Sequence, residues 1–231
     1  MKKLLHLLFA LVLAGPIAAQ NEIDDDQLGA WYMYFFNADF KNSKIGIQGD
    51  YQFRFWDAGG DLEQILLRTG VTLRPEKAVG LYTLGYAYIA TGEFGESTTT
   101  TSENRIYQEA LLPHRIHPRV HLTHRFRYEQ RFVENQDFRT RYRYNLFMNI
   151  LLNNTELDKG TFYVALYNEL FINGQRDIGD DRTVQFFDRN RTYVGMGWKF
   201  AEKLRMQLGW MKQTTVGWSK GQAQISLHQN W

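Results

Sequence analysis

The stretch that decides the fold runs from residue 119 to residue 152: RVHLTHRFRYEQRFVENQDFRTRYRYNLFMNILL. In its first half Val120, Leu122, Phe126 and Tyr128 alternate with Arg119, His121, Thr123, Arg125, Arg127, Glu129 and Arg131. In its second half Phe138, Tyr142, Tyr144, Leu146, Met148, Ile150 and Leu152 share one face, opposite Arg139, Arg141, Arg143, Asn145 and Asn149. A period of two is the signature of a β-strand with chemically distinct faces. These strands are longer than the roughly 5–6 residues usual in soluble sheets, and fit the roughly 9–11 tilted residues that cross a bilayer.

Working outward, the alternation recurs. Ile45, Ile47, Tyr51, Phe53 and Phe55 oppose Lys44, Gln48, Asp50, Gln52, Arg54 and Trp56. Phe162, Val164, Leu166, Leu170 and Ile172 oppose Tyr163, Tyr167 and Glu169, and Leu204, Met206, Leu208 and Trp210 oppose Arg205, Gln207, Gly209 and Gln213. The last segment sets Ala223, Ile225, Leu227 and Trp231 against Gln222, Gln224, Ser226, His228 and Asn230. Segments near 62–74, 78–90, 104–112 and 184–199 follow less cleanly, and 28–40 is apolar on both faces. Trp56, Tyr88, Tyr128, Tyr142, Trp198, Trp210 and Trp231 sit near strand ends, where a lipid-facing band carries aromatic girdles. In lipid every backbone polar group needs an internal partner, so such strands must close.

The expected fold is therefore all-β: a transmembrane antiparallel up-and-down barrel of 10–12 strands over residues 20–231. Eleven segments can be counted. Single-chain bacterial barrels have an even number, so one segment is miscounted or 28–40 is irregular. Links at 91–103 and 174–182 read as long loops, and those at 74–78, 113–118 and 201–203 as short turns, with the C-terminus on the periplasmic side. A soluble sandwich is the competing architecture.

Residues 1–19 read as a signal peptide. Lys2 and Lys3 precede the apolar run Leu4–Leu13, and Ala18–Ala19 offers a cleavage site. Among 231 residues, 27 are basic and 25 acidic; without Lys2 and Lys3 the balance is neutral, which argues against a nucleic-acid partner. Cysteine is absent, excluding disulfides, thiolate metal sites and cysteine nucleophiles. Mean hydropathy is -0.45 and aromatics reach 15%, which excludes a polytopic helical membrane protein.

The repeated motifs Arg125-Phe-Arg-Tyr-Glu-Gln-Arg-Phe132, Arg139-Thr-Arg-Tyr-Arg-Tyr144, Phe187-Asp-Arg-Asn-Arg191 with Tyr193-Val-Gly195, and the terminal Trp231 carry a family resemblance. The chain resembles gram-negative outer-membrane β-barrels catalogued only as a domain of unknown function. The resemblance implies fold and outer-membrane localisation and brings no activity. It also makes Trp231 similar to the terminal aromatic read by the barrel-insertion machinery, with Gln229 where an apolar residue is usual. Outer-membrane lipid and that machinery are the expected partners.

Arg125, Arg127, Glu129, Arg131, Arg139, Arg141, Arg143, Glu169, Arg189 and Arg191 all fall in the polar phase, as do Arg54, Asp50, Arg119 and Arg205. They are expected to form a wet lumenal network in which carboxylates brace guanidinium groups, because like charges in a low-dielectric interior repel strongly. The lumen is then filled or, if open, a narrow pore favouring anions. Gly85, Gly195, Gly197 and Gly209 read as positions that admit a neighbouring large side chain. His114, His117, His121 and His124 would share a stripe on a helix, but Pro113 and Pro118 forbid that helix, and no metal site is expected. Ser219, Ser226 and His228 fall in the last hairpin without a nucleophile motif. No catalytic residue and no cofactor is assigned, and a lipid hydrolase or acyltransferase is the alternative function.

Overall fold

The computed structural model describes residues 23, 27–95 and 97–231; the leader read at 1–19 lies outside them. Eleven strands follow one another: β1 (Gly29–Asp39), β2 (Ile45–Phe55), β3 (Leu62–Leu73), β4 (Leu81–Gly92), β5 (Thr100–His117), β6 (Val120–Val133), β7 (Arg139–Leu151), β8 (Phe162–Asn173), β9 (Phe187–Ala201), β10 (Leu204–Thr214) and β11 (Ser219–Asn230). Each pairs antiparallel with its sequence neighbour, and β1 closes the sheet on β11 in a parallel ladder running from Gly29↔Gln222 to Asn37↔Asn230. No described helix is long and apolar enough to cross a membrane.

The eleven segments are thus all strands, and the even count expected for an up-and-down barrel does not hold. An odd number leaves the first and last strands pointing the same way, so closure can only be parallel. The segment 28–40 is apolar on both faces because β1 packs Trp31, Met33 and Phe35 inside while Tyr32 and Phe36 look out.

Register fixes the faces. On the outside, Val164, Met196, Leu208, Ile225, Tyr32, Phe53 and Ile65 are successive cross-strand partners from β8 round through the seam to β3. Leu208 is 57% exposed and Val194 50% exposed. An unbroken apolar belt of this extent is far more than a soluble monomer leaves in water. On the inside, Asn145, Glu169, Arg191, Gln213 and Lys220 are partners in the same manner, all buried. A sheet with its charged face buried and its apolar face exposed is inside-out relative to a sandwich, so the competing architecture fails on topology and on burial.

Three local readings change. Pro113 lies within β5, not in a turn: beyond the Leu81↔Leu111 pair β5 has no β4 partner, so a residue without an N–H sits on a free edge. The turn proper is 118–119. Trp56 is 7% exposed and turns inward, where its ring meets Phe94 and Trp218 edge-on at 5.7 and 5.9 Å. Nor do long and short links alternate as read. The 91–103 link shrinks to 93–99, and 152–161 forms a long connection at the end that also carries Trp231. We call this the C-terminal end and its opposite the far end.

Glycines on the inner wall lie under aromatic rings. A Cβ at Gly197 would strike the Tyr163 ring, one at Gly85 the Tyr107 ring, and one at Gly195 the Tyr193 ring. The missing side chain is what lets a large ring lie flat against the wall.

Candidate functional site: the arginine-rich lumen

Glu129, on β6, is 1% exposed and is the hub of the far half of the lumen. Its Oε2 accepts from Arg141 Nε and Nη2 at 2.9 and 2.6 Å, and its Oε1 accepts from Arg143 Nη1 at 2.6 Å. Arg105 and Arg127 each approach it to 3.8 Å. Glu103 takes bidentate bonds from both Arg105 and Arg131, and Asp188 accepts from Arg141 at 2.6 Å. Glu169 accepts from Arg143 and Arg125, with Arg191 at 4.0 Å.

The sequence makes this network by phase. Residues two apart on β6 and β7 face inward, and the register sets Glu129 opposite Arg141 but Arg127 opposite Arg143 and Arg131 opposite Arg139. In the like-charged pairs Glu109 from β5 takes Arg127 and Glu169 from β8 takes Arg143, while beside Arg139 it is Arg131 that is matched, by Glu103. Fork-shaped guanidinium groups pair with carboxylates in two-pronged fashion and lose little freedom in doing so.

Aromatics complete the packing. Trp31 is stacked between Arg54 at 3.9 Å and Arg191 at 4.7 Å, and its Nε1 donates to Glu63 at 2.7 Å. Phe171 carries Arg143 and Arg191 over its ring at 4.4 and 4.7 Å. At the far end Trp56, Phe94 and Trp218 cluster, and the connections there are tied together by bonds such as Asp137 N to Ile178 O and Gly95 N to Asp61 Oδ2.

The C-terminal half differs. A cavity of about 390 Å³ reaches inward from this end, with Trp31, Asp50, Arg127 and Asn145 among the residues on its wall. A wider vestibule of about 610 Å³ lies at the rim, and the two share Thr123, Asn149, Arg205 and Asn230. The 152–161 connection folds beside the vestibule, held by Arg115, which donates to Thr155 O and Glu156 Oε1, and by Lys199, which donates to Leu157 O. The hydrogen bond from Arg115 holds the Glu156 carboxyl below its usual range. At the far end the backbone N–H groups of Gly59, Gly60 and Asp61 do the same for Asp57.

Of the ten network residues read from sequence, Arg125, Arg127, Glu129, Arg131, Arg141, Arg143, Glu169 and Arg191 meet in one cluster. Arg189 bonds Asp188 at its edge. Arg139 is buried opposite Arg131 and forms no salt bridge among the described residues. Sequence reasoning missed Glu103, Arg105 and Glu109, whose shared odd-numbered phase on β5, with Tyr107 between the last two, was the signal available. It also missed Glu63, which the irregular register at Arg54/Phe55 turns inward.

His121 faces inward and receives a bond from Arg115 Nε, while His114 and His124 stack on the outer side beside Tyr144. Ser226 Oγ and His228 Nε2 lie 3.0 Å apart on the cavity wall. The cross-strand partner of His228 is Arg205, and its ring stacks on Phe35 at 4.7 Å. A nucleophilic triad needs an acceptor to orient and balance its imidazolium; here that neighbour is a cation. Ser219 bonds Thr214 in the β10–β11 hairpin, away from the pair.

Two comparisons bear on the chain. Residues 28–224 match a family profile described as "Protein of unknown function (DUF2490)". An uncharacterized protein of Methylorubrum extorquens is 27% identical over 213 residues, covering 92% of this chain and 88% of that one. No solved structure matches.

Proposed function

The chain belongs to the DUF2490 family, and we propose that it is an integral outer-membrane β-barrel whose lumen is stoppered at one end, a structural or ligand-holding barrel and not a through-channel or an enzyme. The carrying observation is the pairing of an exposed apolar belt around the wall with a buried guanidinium–carboxylate network within it. A lipid environment satisfies the first, and a closed barrel satisfies every backbone group beneath it. The aromatic cluster at the far end and the packed Glu129 hub support a stoppered lumen, for which no steady conductance is expected. Any leak favours anions, since arginines outnumber carboxylates inside.

In this reading the C-terminal end faces the periplasm. Trp231, 54% exposed with its ring 6.2 Å from Phe36, lies at the lipid interface, where the barrel-insertion machinery engages it. Its backbone N–H bonds Asn37 O, so it also fastens the seam.

Carbonate and urea washing of gram-negative outer membranes, followed by planar-bilayer recording of the purified chain, tests this. Retention in the membrane with no stable conductance is expected, and Trp231→Ala is expected to lower the heat-modifiable fraction. Release into the soluble fraction, or large cation-selective currents, contradicts it.

A further inference from the structure

The far half of the lumen leaves few arginines without a carboxylate, whereas the inner end of the 390 Å³ cavity leaves several donors unused. Seven arginines but only three carboxylates line that cavity. Three buried guanidinium nitrogens of residues lining it, Arg68 Nη1, Arg125 Nε and Arg127 Nη1, have no hydrogen-bond partner among the described residues. Arg125 and Arg127 converge on one oxygen of Glu109, at 3.8 and 2.5 Å; Arg125 also bonds Glu169 and Arg68 is doubly bonded to Asp50, so each guanidinium is anchored and still keeps one nitrogen beyond its carboxylate. Buried N–H groups of charged side chains left unpaired cost several times what an ordinary missing hydrogen bond costs, so a site that keeps three of them is suited to an acceptor that carries charge.

The rest of the wall is mixed: Met33, Phe35, Leu81, Leu111, Phe147 and Tyr167 give it apolar surface, beside polar side chains such as Asn145, Asn149 and Ser226. Beyond the mouth, Arg115, Arg205, Lys199 and Lys203 line the vestibule against Glu156 as its carboxylate. That excess raises the local concentration of anions at the entrance. The volume falls in the roughly 300–1,000 Å³ range of small-molecule sites.

We infer that the cavity open at the C-terminal end is a binding site for an amphipathic organic anion, a carboxylate on an apolar body, which enters head first and delivers its charged group to Arg68, Arg125 and Arg127. The apolar body then lies along Phe35 and Phe147. The site stands on cavity geometry alone and does not depend on which compartment the C-terminal end faces.

The full chain, purified in a non-ionic detergent, is titrated with [1-13C]octanoate and followed by the carboxylate carbon resonance and by calorimetry. One-to-one saturable binding is expected, with octanol and inorganic phosphate each binding at least about tenfold more weakly, since each supplies only half of the recognition. Arg125→Gln, which leaves Glu169 its bonds from Arg143, is expected to weaken octanoate about tenfold. Thr123→Trp, which narrows the passage from the vestibule and replaces no arginine, is expected to slow or abolish binding while the barrel stays heat-modifiable; it keeps the test sound if Arg125→Gln does not fold. Octanol binding as tightly as octanoate, phosphate displacing octanoate at equal concentration, or a folded Thr123→Trp variant that binds at the original rate each overturns the proposal. A chain that proves soluble yet binds octanoate in this way refutes the membrane reading and leaves the site intact.

Discussion

The two halves of the lumen are built from the same residue type and solve opposite problems. Around Glu129 and Glu103 nearly every guanidinium is matched to a carboxylate, and aromatic rings fill the gaps. Around Arg68, Arg125 and Arg127 each guanidinium has a carboxylate but keeps one nitrogen without an acceptor among the described residues, and space remains. Buried charge alone therefore says little about purpose. What separates a brace from a site is whether each donor already has its acceptor.

The comparison is broken most forcefully at the hub. Glu129→Gln removes the carboxylate that Arg141 and Arg143 share and leaves Arg141 with Asp188 alone and Arg143 with Glu169 alone. Losing one partner of a buried pair costs about 3–5 kcal/mol. Urea unfolding in detergent, read by tryptophan fluorescence, should show that loss. Glu129→Leu combined with Arg141→Met should recover much of it, because an apolar replacement of both partners leaves less charge stranded. A Glu129→Gln barrel as stable as the original would mean the far half is not braced by charge.

A smaller effect sharpens the contrast in the C-terminal half. That half tolerates space, but not where a ring is laid over a glycine. Gly197→Ala drives a methyl into the Tyr163 ring, which is fully buried. Overpacking of this kind costs about 1–3 kcal/mol, and the same urea titration measures it. Ser226→Ala, on the open cavity wall, should by comparison leave the midpoint nearly unmoved.

The smallest effect lies outside the barrel wall. Glu156 has its carboxyl lowered by the bond from Arg115, so its contribution is present above the ordinary glutamate range and is lost as pH falls through the lowered value. Limited proteolysis of the 152–161 connection should therefore speed up in acid, below the ordinary glutamate range. Glu156→Gln should make cleavage faster at pH 7 and remove most of that pH dependence. Both groups are solvent-exposed, so global unfolding should scarcely respond.

The residues explain why some of this was legible in advance. Between 119 and 152 the faces differ in charge at nearly every step, so phase, and with it the inward Arg125–Arg143 set, could be read directly. Partnership could not. Which carboxylate meets which arginine depends on register between strands, and Glu63 enters only because the β2–β3 ladder shifts near Phe55. The role of β1 was hidden for a different reason. A strand with rings on one side and Trp31, Met33 and Phe35 on the other carries no polar phase to betray its inner face. The cavity was hidden too, because emptiness depends on how far side chains reach, and alternation gives only their direction.

The parallel seam gives the molecule a polarity that an even barrel lacks. Gly29 begins β1 at the far end and Trp231 ends the chain at the other, separated by roughly the 25 Å height of a barrel's apolar band. A short peptide cannot join such ends, so a circular permutant would need a linker threaded through the bore or draped across the belt. In the proposed membrane setting, reporters fused just ahead of β1 and just after Trp231 would stand on opposite sides of the bilayer. A single chain would then display one label to each compartment.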